Sequence, residues 1–275
     1  MAWLDSSLTI IAQIRIALSW RTRLLIIGLL TLAAVLIAAA LPRIPQDPAY
    51  HRFADQRTFF GIPNFFDVVS NAAFVVVGVL GLVFLWRHQA ASAESAFVKK
   101  VEKWPYGIFF LGTVLIGLGS AYYHLSPDNA RLFWDRLPMA IVFMALLAAL
   151  LTERISLRVG LLALWPLVAL GAGSVGYWLL SEQYAVGDLR PYGLVQFFPG
   201  LLIPLLMLLF PPRYTRGGDI VVVLGFYALA LLAQALDEAL FALGRIVSGH
   251  TLKHLLAALA IYWILRMLRR RRPVV

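Results

Sequence analysis

Cysteine is absent from the 275 residues, which excludes disulfide frameworks, thiolate metal sites and cysteine nucleophiles. Charge is scarce too: 14% of residues are charged against 61% hydrophobic, and mean hydropathy is +0.81. That balance rules out an ordinary soluble domain and points to an all-α integral membrane protein. Carboxylates are the scarcer sign, with 14 Asp and Glu against 24 Lys and Arg and a net charge of +10. The basic residues lie mostly in short connections between long apolar runs, so they read as topology signals and no nucleic-acid partner is expected. The apolar runs are continuous instead of alternating, which argues against a β-barrel. Any metal must be held by His, Asp or Glu.

A spanning helix needs about 20 mostly apolar residues. Eight runs approach that length: Leu24 to Leu41, Val68 to Trp86, Tyr106 to Leu125, Leu137 to Leu151, Val159 to Leu180, Leu194 to Phe210, Ile220 to Leu236 and Thr251 to Leu265. The fourth and eighth are short, so their ends are expected to continue through polar residues that face the protein interior. Pro42 to Pro48, Pro105, Pro211-Pro212 and Gly217-Gly218 punctuate the runs. Sixteen Lys and Arg fall in connections on one side and seven on the other, with Lys253 inside a helix. The positive-inside rule then puts both termini in the cytoplasm. Arg21, Arg23, the run after them and Ala38-Ala39-Ala40 also resemble a secretory signal peptide. The amphipathic lead through Ile10, Ile11, Ile14 and Arg15 favours a retained helix behind an interfacial segment over residues 1–23. The Ala- and Leu-rich composition and the lack of cysteine look bacterial, so the expected location is a bacterial inner membrane.

Three of the five histidines lie at span ends that this topology puts on the outer, periplasmic side. His124 closes the third run, and His250 and His254 open the eighth. Histidines four residues apart stack on one helical face, within reach of a common ion. A third imidazole leaves a fourth position free for water, the arrangement of a catalytic zinc. The bland alternative is an interfacial hydrogen-bonding pair. Ser120 lies one turn before His124 on the same face, and Asp135 opens the next helix.

The stretch Gly119-Ser120-Ala121-Tyr122-Tyr123-His124, then Asp135 in Trp134-Asp135-Arg136-Leu137-Pro138-Met139, then His250-Thr251-Leu252-Lys253-His254, resembles the alkaline ceramidase family. That family sits in a superfamily of seven-helix membrane hydrolases and receptors that includes adiponectin-receptor-like proteins. The resemblance covers roughly residues 50 to 268, including Asn64-Phe65-Phe66-Asp67-Val68-Val69-Ser70-Asn71. It implies a seven-helix hydrolase core over 50–268, an extra transmembrane helix over 24–41 and a basic tail over 269–275 whose Arg269 to Arg272 contact anionic lipid heads.

By that resemblance His124, His250 and His254 are zinc ligands, Asp135 holds the catalytic water and Ser120 contacts the substrate carbonyl or supports the ligands. Zinc brings the pKa of bound water to about 7 and polarises a carbonyl, while a neighbouring carboxylate takes the proton and returns it to the leaving amine. The implied activity is hydrolysis of a linear amide bond in an N-acyl lipid such as ceramide, a sphingolipid, to release a fatty acid. The implied partner is a membrane lipid with a long acyl chain. The alternative, from another class, is a zinc-containing lipid-binding receptor with little or no turnover.

The sequence departs from the family where animal members carry an acidic calcium-binding stretch. Here Asp55-Gln56-Arg57 through Asn64 holds few carboxylates and an arginine, which argues against Ca2+; Asp55, Asn64 and Asp67 are the residues that would hold one. Asp188 and Arg190 read chiefly as a pair fixing their loop, and with Tyr123 as residues able to support the ligands from behind. Asp237 and Glu238 read as partners for Arg245, Lys253 or Arg190. Asp67 and Asn71 read as bonding between helices.

Overall fold

The computed structural model describes residues 17–88 and 95–274. The interfacial segment expected over residues 1–23 falls outside the described residues as far as residue 16, its Ile10, Ile11 and Ile14 included. Every regular element among the described residues is helical. Lipid imposes this, because each backbone polar group in a lone span must be satisfied within that span.

In chain order the elements are α1 (Trp20–Ala40), α2 (Phe65–Val69), α3 (Ala72–Arg87), α4 (Lys103–Leu125), α5 (Asn129–Arg154), α6 (Leu157–Gln183), α7 (Arg190–Leu209), α8 (Asp219–Ala235), α9 (Asp237–Ala242) and α10 (Gly249–Arg270). With α2 and α3 taken as one span, 7 helices are long and apolar enough to cross a membrane, and α8 is the shorter apolar helix. All eight apolar runs are thus helices, and the chain is an all-α membrane protein.

The ends follow local chemistry. Ser19, Asp128, Ser156 and Ser248 cap α1, α5, α6 and α10 by accepting from the backbone N–H three residues on. The two runs that were too short do extend through polar residues. The extensions bury Asp135, Arg136 and Arg154 on α5 and His250 on α10.

Helix α5 lies at the centre, packed against α4, α6 and α7, while α10 packs against α8 and α3. Helix α1 has no buried residue and meets the bundle through α7. Close approach of α4 and α5 depends on Gly119, where a Cβ would stand 2.1 Å from the Trp134 carbonyl oxygen. Gly249 performs the same service for α10, at 2.1 Å from the Ala233 oxygen.

The two ends of the bundle are built differently. In the α6–α7 loop the Arg190 guanidinium grips the Asp188 carboxylate at 2.8 Å through both Nε and Nη2. Its Nη1 donates to the carbonyls of Ala39 and Leu41 at the end of α1. The expected pair therefore fixes its loop and also ties down the extra helix.

At the opposite end the tail departs from expectation. Arg271 is buried, is ion-paired with Glu153 and donates to the Ala96 carbonyl. Arg272 and Val274 bond the 213–215 segment through backbone groups. Arg269 and Arg270 are exposed and suit lipid heads, whereas Arg271 is not available for that role. A carboxylate inside the bundle and a cage of Phe97, Tyr106 and Tyr214 around the guanidinium outcompete the headgroups for this one arginine.

Two outcomes follow for stability. Gly119→Ala lowers stability by about 1–3 kcal/mol through overpacking, whereas Gly107→Ala, with nothing within 4 Å of the added Cβ, does not. Thermal unfolding of both variants in detergent compares them, and equal melting temperatures would refute the tight α4–α5 contact. The Arg190 guanidinium holds the Asp188 carboxyl at about 2, below its ordinary 3.8. A depressed folded-state pKa means stability that is fully present above about pH 4 and lost as the pH falls through about 2. Asp188→Asn is therefore expected to melt a few degrees lower at pH 7, with the gap closing as the pH is taken below 4. A gap independent of pH would show that the charge is not what matters.

Candidate metal centre

His124 lies in the last turn of α4, and His250 and His254 lie in the first two turns of α10. The ring centroids are 4.8 Å apart for His124 and His250, 5.0 Å for His124 and His254, and 4.9 Å for His250 and His254. One ring nitrogen of each residue lies within 4.8 Å of the others, and all three residues are buried. Two sequence-distant stretches thus close a near-equilateral triangle of imidazoles.

The donor chemistry fits a cation. Nδ1 and Nε2 of His124 and Nε2 of His254 are buried without a hydrogen-bond partner. Such nitrogens lose water on folding and regain nothing from protein groups, a cost that an ion at the triangle's centre removes. Neutral imidazoles suit zinc, copper, iron and nickel alike. His250 differs, because its Nε2 is 3.0 Å from Lys253 Nζ, so an ion bound through that nitrogen displaces the lysine.

Neighbouring residues orient the rings. Ser70, at the break between α2 and α3, places Oγ 2.8 Å from His254 Nδ1 and donates to the Asp67 carbonyl at 3.2 Å. With its proton committed there, Ser70 accepts from His254 Nδ1–H, which turns the Nε2 lone pair toward the triangle. Asp67 Oδ1 accepts from Thr251 Oγ1 at 2.6 Å and Ser248 Oγ at 3.3 Å, fastening α2 to the start of α10. Asn64 Nδ2 donates to the His124 carbonyl at 2.8 Å. The Phe53 ring packs on His124 at 4.6 Å and His250 at 4.8 Å, closing the site from the α1–α2 connection.

No family model and no curated protein matches this chain. The site is accordingly interpreted from its own chemistry.

Asp135, on α5, is buried and engaged by the Ser120 hydroxyl. Ser120, Asp135, Lys253 and His254 line one end of a cavity of about 150 Å³. From there the cavity follows Met139, Val142 and Leu146 on α5 and Ala257, Ile261 and Ile264 on α10, about 15 Å of helix at 1.5 Å per residue. Of the five residues singled out from the sequence as ligands or reacting groups, Ser120, Asp135 and His254 line the polar head of an apolar channel, and His124 and His250 stand behind it with ring centroids 5.0 and 4.9 Å from that of His254.

The other expectations divide. Asp188 and Arg190 bond each other, Tyr177 and the end of α1, and do not contact the histidines. Tyr123 packs on His124, but its hydroxyl is 2.9 Å from His51 Nδ1, and His51 Nε2 is 3.0 Å from Asn129 Oδ1. Asp237 pairs with none of its expected cations. Its carboxylate accepts from the backbone N–H groups of His250 at 2.7 Å and Ala54 at 3.0 Å, because the start of α10 presents unsatisfied donors that a nearby carboxylate meets. Asp67 does bond between helices, whereas Asn71 Nδ2 returns to the Asp67 carbonyl within its own segment. The three residues that would hold calcium are engaged separately, Asp55 by Arg57 at 2.7 Å, Asn64 by the His124 carbonyl and Asp67 by α10.

Ser70, Thr251 and Phe53 are not singled out by the sequence as site residues, and Asn64 is singled out only as a calcium candidate. Ser248 and Thr251 carried a signal, since a serine three residues before a threonine at a helix start is a capping pattern. Ser70 carried none.

Purified protein is expected to retain about one transition-metal ion per chain by elemental analysis, and His124→Ala or His254→Ala to lose it. Ser70→Ala should weaken affinity by about 10–100-fold through the freed ring. Full metal content in both histidine variants would place the ion elsewhere.

Proposed function

We propose that the chain is a zinc-dependent intramembrane hydrolase of lipid amides, resembling the alkaline ceramidases. The observation that carries this reading is a cluster of three buried imidazoles, two of them with unpartnered nitrogens, whose His254 lines the head of one apolar cavity together with Asp135 and Ser120. A purely structural ion needs no buried carboxylate at the mouth of a lipid-sized channel.

His124, His250 and His254 would hold the zinc, which when bound would supply Lewis acidity, bringing the pKa of a water down to about 7 and polarising a carbonyl. Asp135 takes the proton from the attacking water on its carboxylate and delivers it to the leaving nitrogen, a role worth about 10²–10⁴-fold in rate. Ser120 turns its hydroxyl from Asp135 to the carbonyl oxygen as negative charge develops there. The channel between α5 and α10 takes the acyl chain from the bilayer and excludes water from it, at about 0.8 kcal/mol per buried methylene. The choice of amide over ester rests on the resemblance.

The charge asymmetry of the connections supports a site on the outer side with both termini in the cytoplasm, which in the bacterial inner membrane proposed for this chain is the periplasmic side. An impermeant thiol label should reach Asp128→Cys from the periplasm, and labelling only from the cytoplasm would invert that orientation.

Asp135→Asn should lower fatty acid release from N-acyl lipids by about 10²–10⁴-fold while zinc content stays at the wild-type level. If zinc-loaded wild-type protein released no fatty acid from a panel of N-acyl and ester lipids, the hydrolase reading would give way to a lipid-binding receptor.

A further inference from the structure

Arg136 follows Asp135 in the sequence and lines the same cavity, yet the hydrolysis outlined above does not use it. It is 5% exposed, and its Nη1 is buried without a hydrogen-bond partner. No carboxylate forms a salt bridge with it among the described residues. Its only neighbour of opposite charge in the cavity lining, Asp135, is engaged by Ser120. What holds it is an aromatic cage of Trp178 at 4.4 Å, Tyr192 at 5.0 Å and Tyr50 at 5.1 Å from the guanidinium carbon.

A buried, permanently charged guanidinium is costly unless an anion completes its hydrogen bonds. Elsewhere this chain supplies one: buried Arg271 has Glu153, and Arg190 has Asp188. Arg136 stands apart, with aromatic faces behind it and the cavity in front. Lys253 lines the same end, so two cations face one carboxylate there, before any metal ion adds its own charge. A neutral amide lipid leaves this excess uncompensated.

We propose that Arg136 binds the carboxylate of an acidic N-acyl lipid, so that the preferred substrate class is N-acyl amino acids, whose carboxylate lies a few bonds from the scissile amide. Adjacency to Asp135 places the guanidinium at the level of the reacting carbonyl and not at the far end of the acyl channel. The planar fork of arginine matches a carboxylate through two parallel hydrogen bonds. This specificity rests on the hydrolase reading above: water adds its hydroxyl to the carbonyl carbon, the C–N bond breaks, and the proton goes to the nitrogen, releasing fatty acid and amino acid.

The test uses the zinc-loaded full chain in detergent with N-palmitoylglycine and its uncharged carboxamide, N-palmitoylglycinamide. Wild-type kcat/KM should favour the acid by about 10–100-fold, the range expected of a hydrogen bond to a charged group. Arg136→Gln should bring that ratio near one, and Arg136→Lys should retain part of it. Equal wild-type rates overturn the proposal without recourse to any variant, as does a preference that survives in Arg136→Gln.

A binding arm separates this proposal from the hydrolase reading. In Asp135→Asn protein, N-palmitoylglycine should raise the melting temperature more than the carboxamide does, and the difference should vanish when Arg136→Gln is added. If neither amide is cleaved by wild type while that acid-selective shift persists, the hydrolase reading fails and the carboxylate site stands. Cleavage of both amides at one rate with equal shifts does the reverse. An Arg136-dependent shift with palmitate and none with N-palmitoylglycine assigns the arginine to the product and overturns the proposal.

Discussion

Three buried imidazoles, each with a ring nitrogen within 4.8 Å of the others inside an apolar bundle, form the constraint on which the rest of this structure depends. His124 and His254 keep buried nitrogens with no hydrogen-bond partner and His250 has only Lys253 at its Nε2, so a shared cation would satisfy the set together. Holding them in that unsatisfied state requires rigid support. The Ser70 hydroxyl at His254, the Asp67 carboxylate on Ser248 and Thr251, and Asp237 on the His250 amide supply it. These contacts fasten α2, α9 and the α8–α10 connection to the first turn of α10, so the ligands sit on helix ends and the supports sit around them.

The bundle concentrates its polar chemistry at its two ends and leaves an apolar middle. One end carries the histidines, Asp135, Arg136 and Lys253. The other carries Glu102, Glu153, Arg154, Arg271 and Tyr214, woven together by ion pairs and a return of the tail onto the 213–215 segment. In the second cluster each buried cation has a carbonyl or carboxylate, although Arg271 Nη2 is itself buried without a partner. Burial raises the Tyr214 hydroxyl to about 12, so it stays protonated and donates to Glu102. The first cluster is incomplete, with free nitrogens on two histidines and on Arg136. The second end pairs its buried Arg271 with a carboxylate of this chain, whereas buried Arg136 at the first end has no salt bridge among the described residues.

Much of this was readable from residues alone. Apolar run length predicted all eight helices, and the shortness of the runs at Leu137 and Thr251 predicted that buried polar residues would complete them. The i, i+4 spacing put His250 and His254 on one face, and Ser120 one turn before His124 put hydroxyl and imidazole on another. Where the sequence reading erred, it treated charged residues as partners of the nearest opposite charge or of lipid. Asp237 caps a helix instead of pairing with Arg245 or Lys253, and Arg271 turns inward to Glu153. In both cases a backbone or buried partner that is remote in sequence outweighed the obvious one.

By itself the sequence determined the class of protein, the positions of its apolar helices and the identity of the groups able to bind a metal. Those follow from local quantities: the length of an apolar run, the helical repeat and the side-chain donor set. Only the tertiary structure decided that His124 meets His250 and His254, that Ser70 sets the tautomer of one ring, and that Arg136 is left without an anion. Each of these depends on how helices distant in the chain pack. That packing is set by close contacts such as Gly119 against Trp134, and no periodicity within a single helix encodes it.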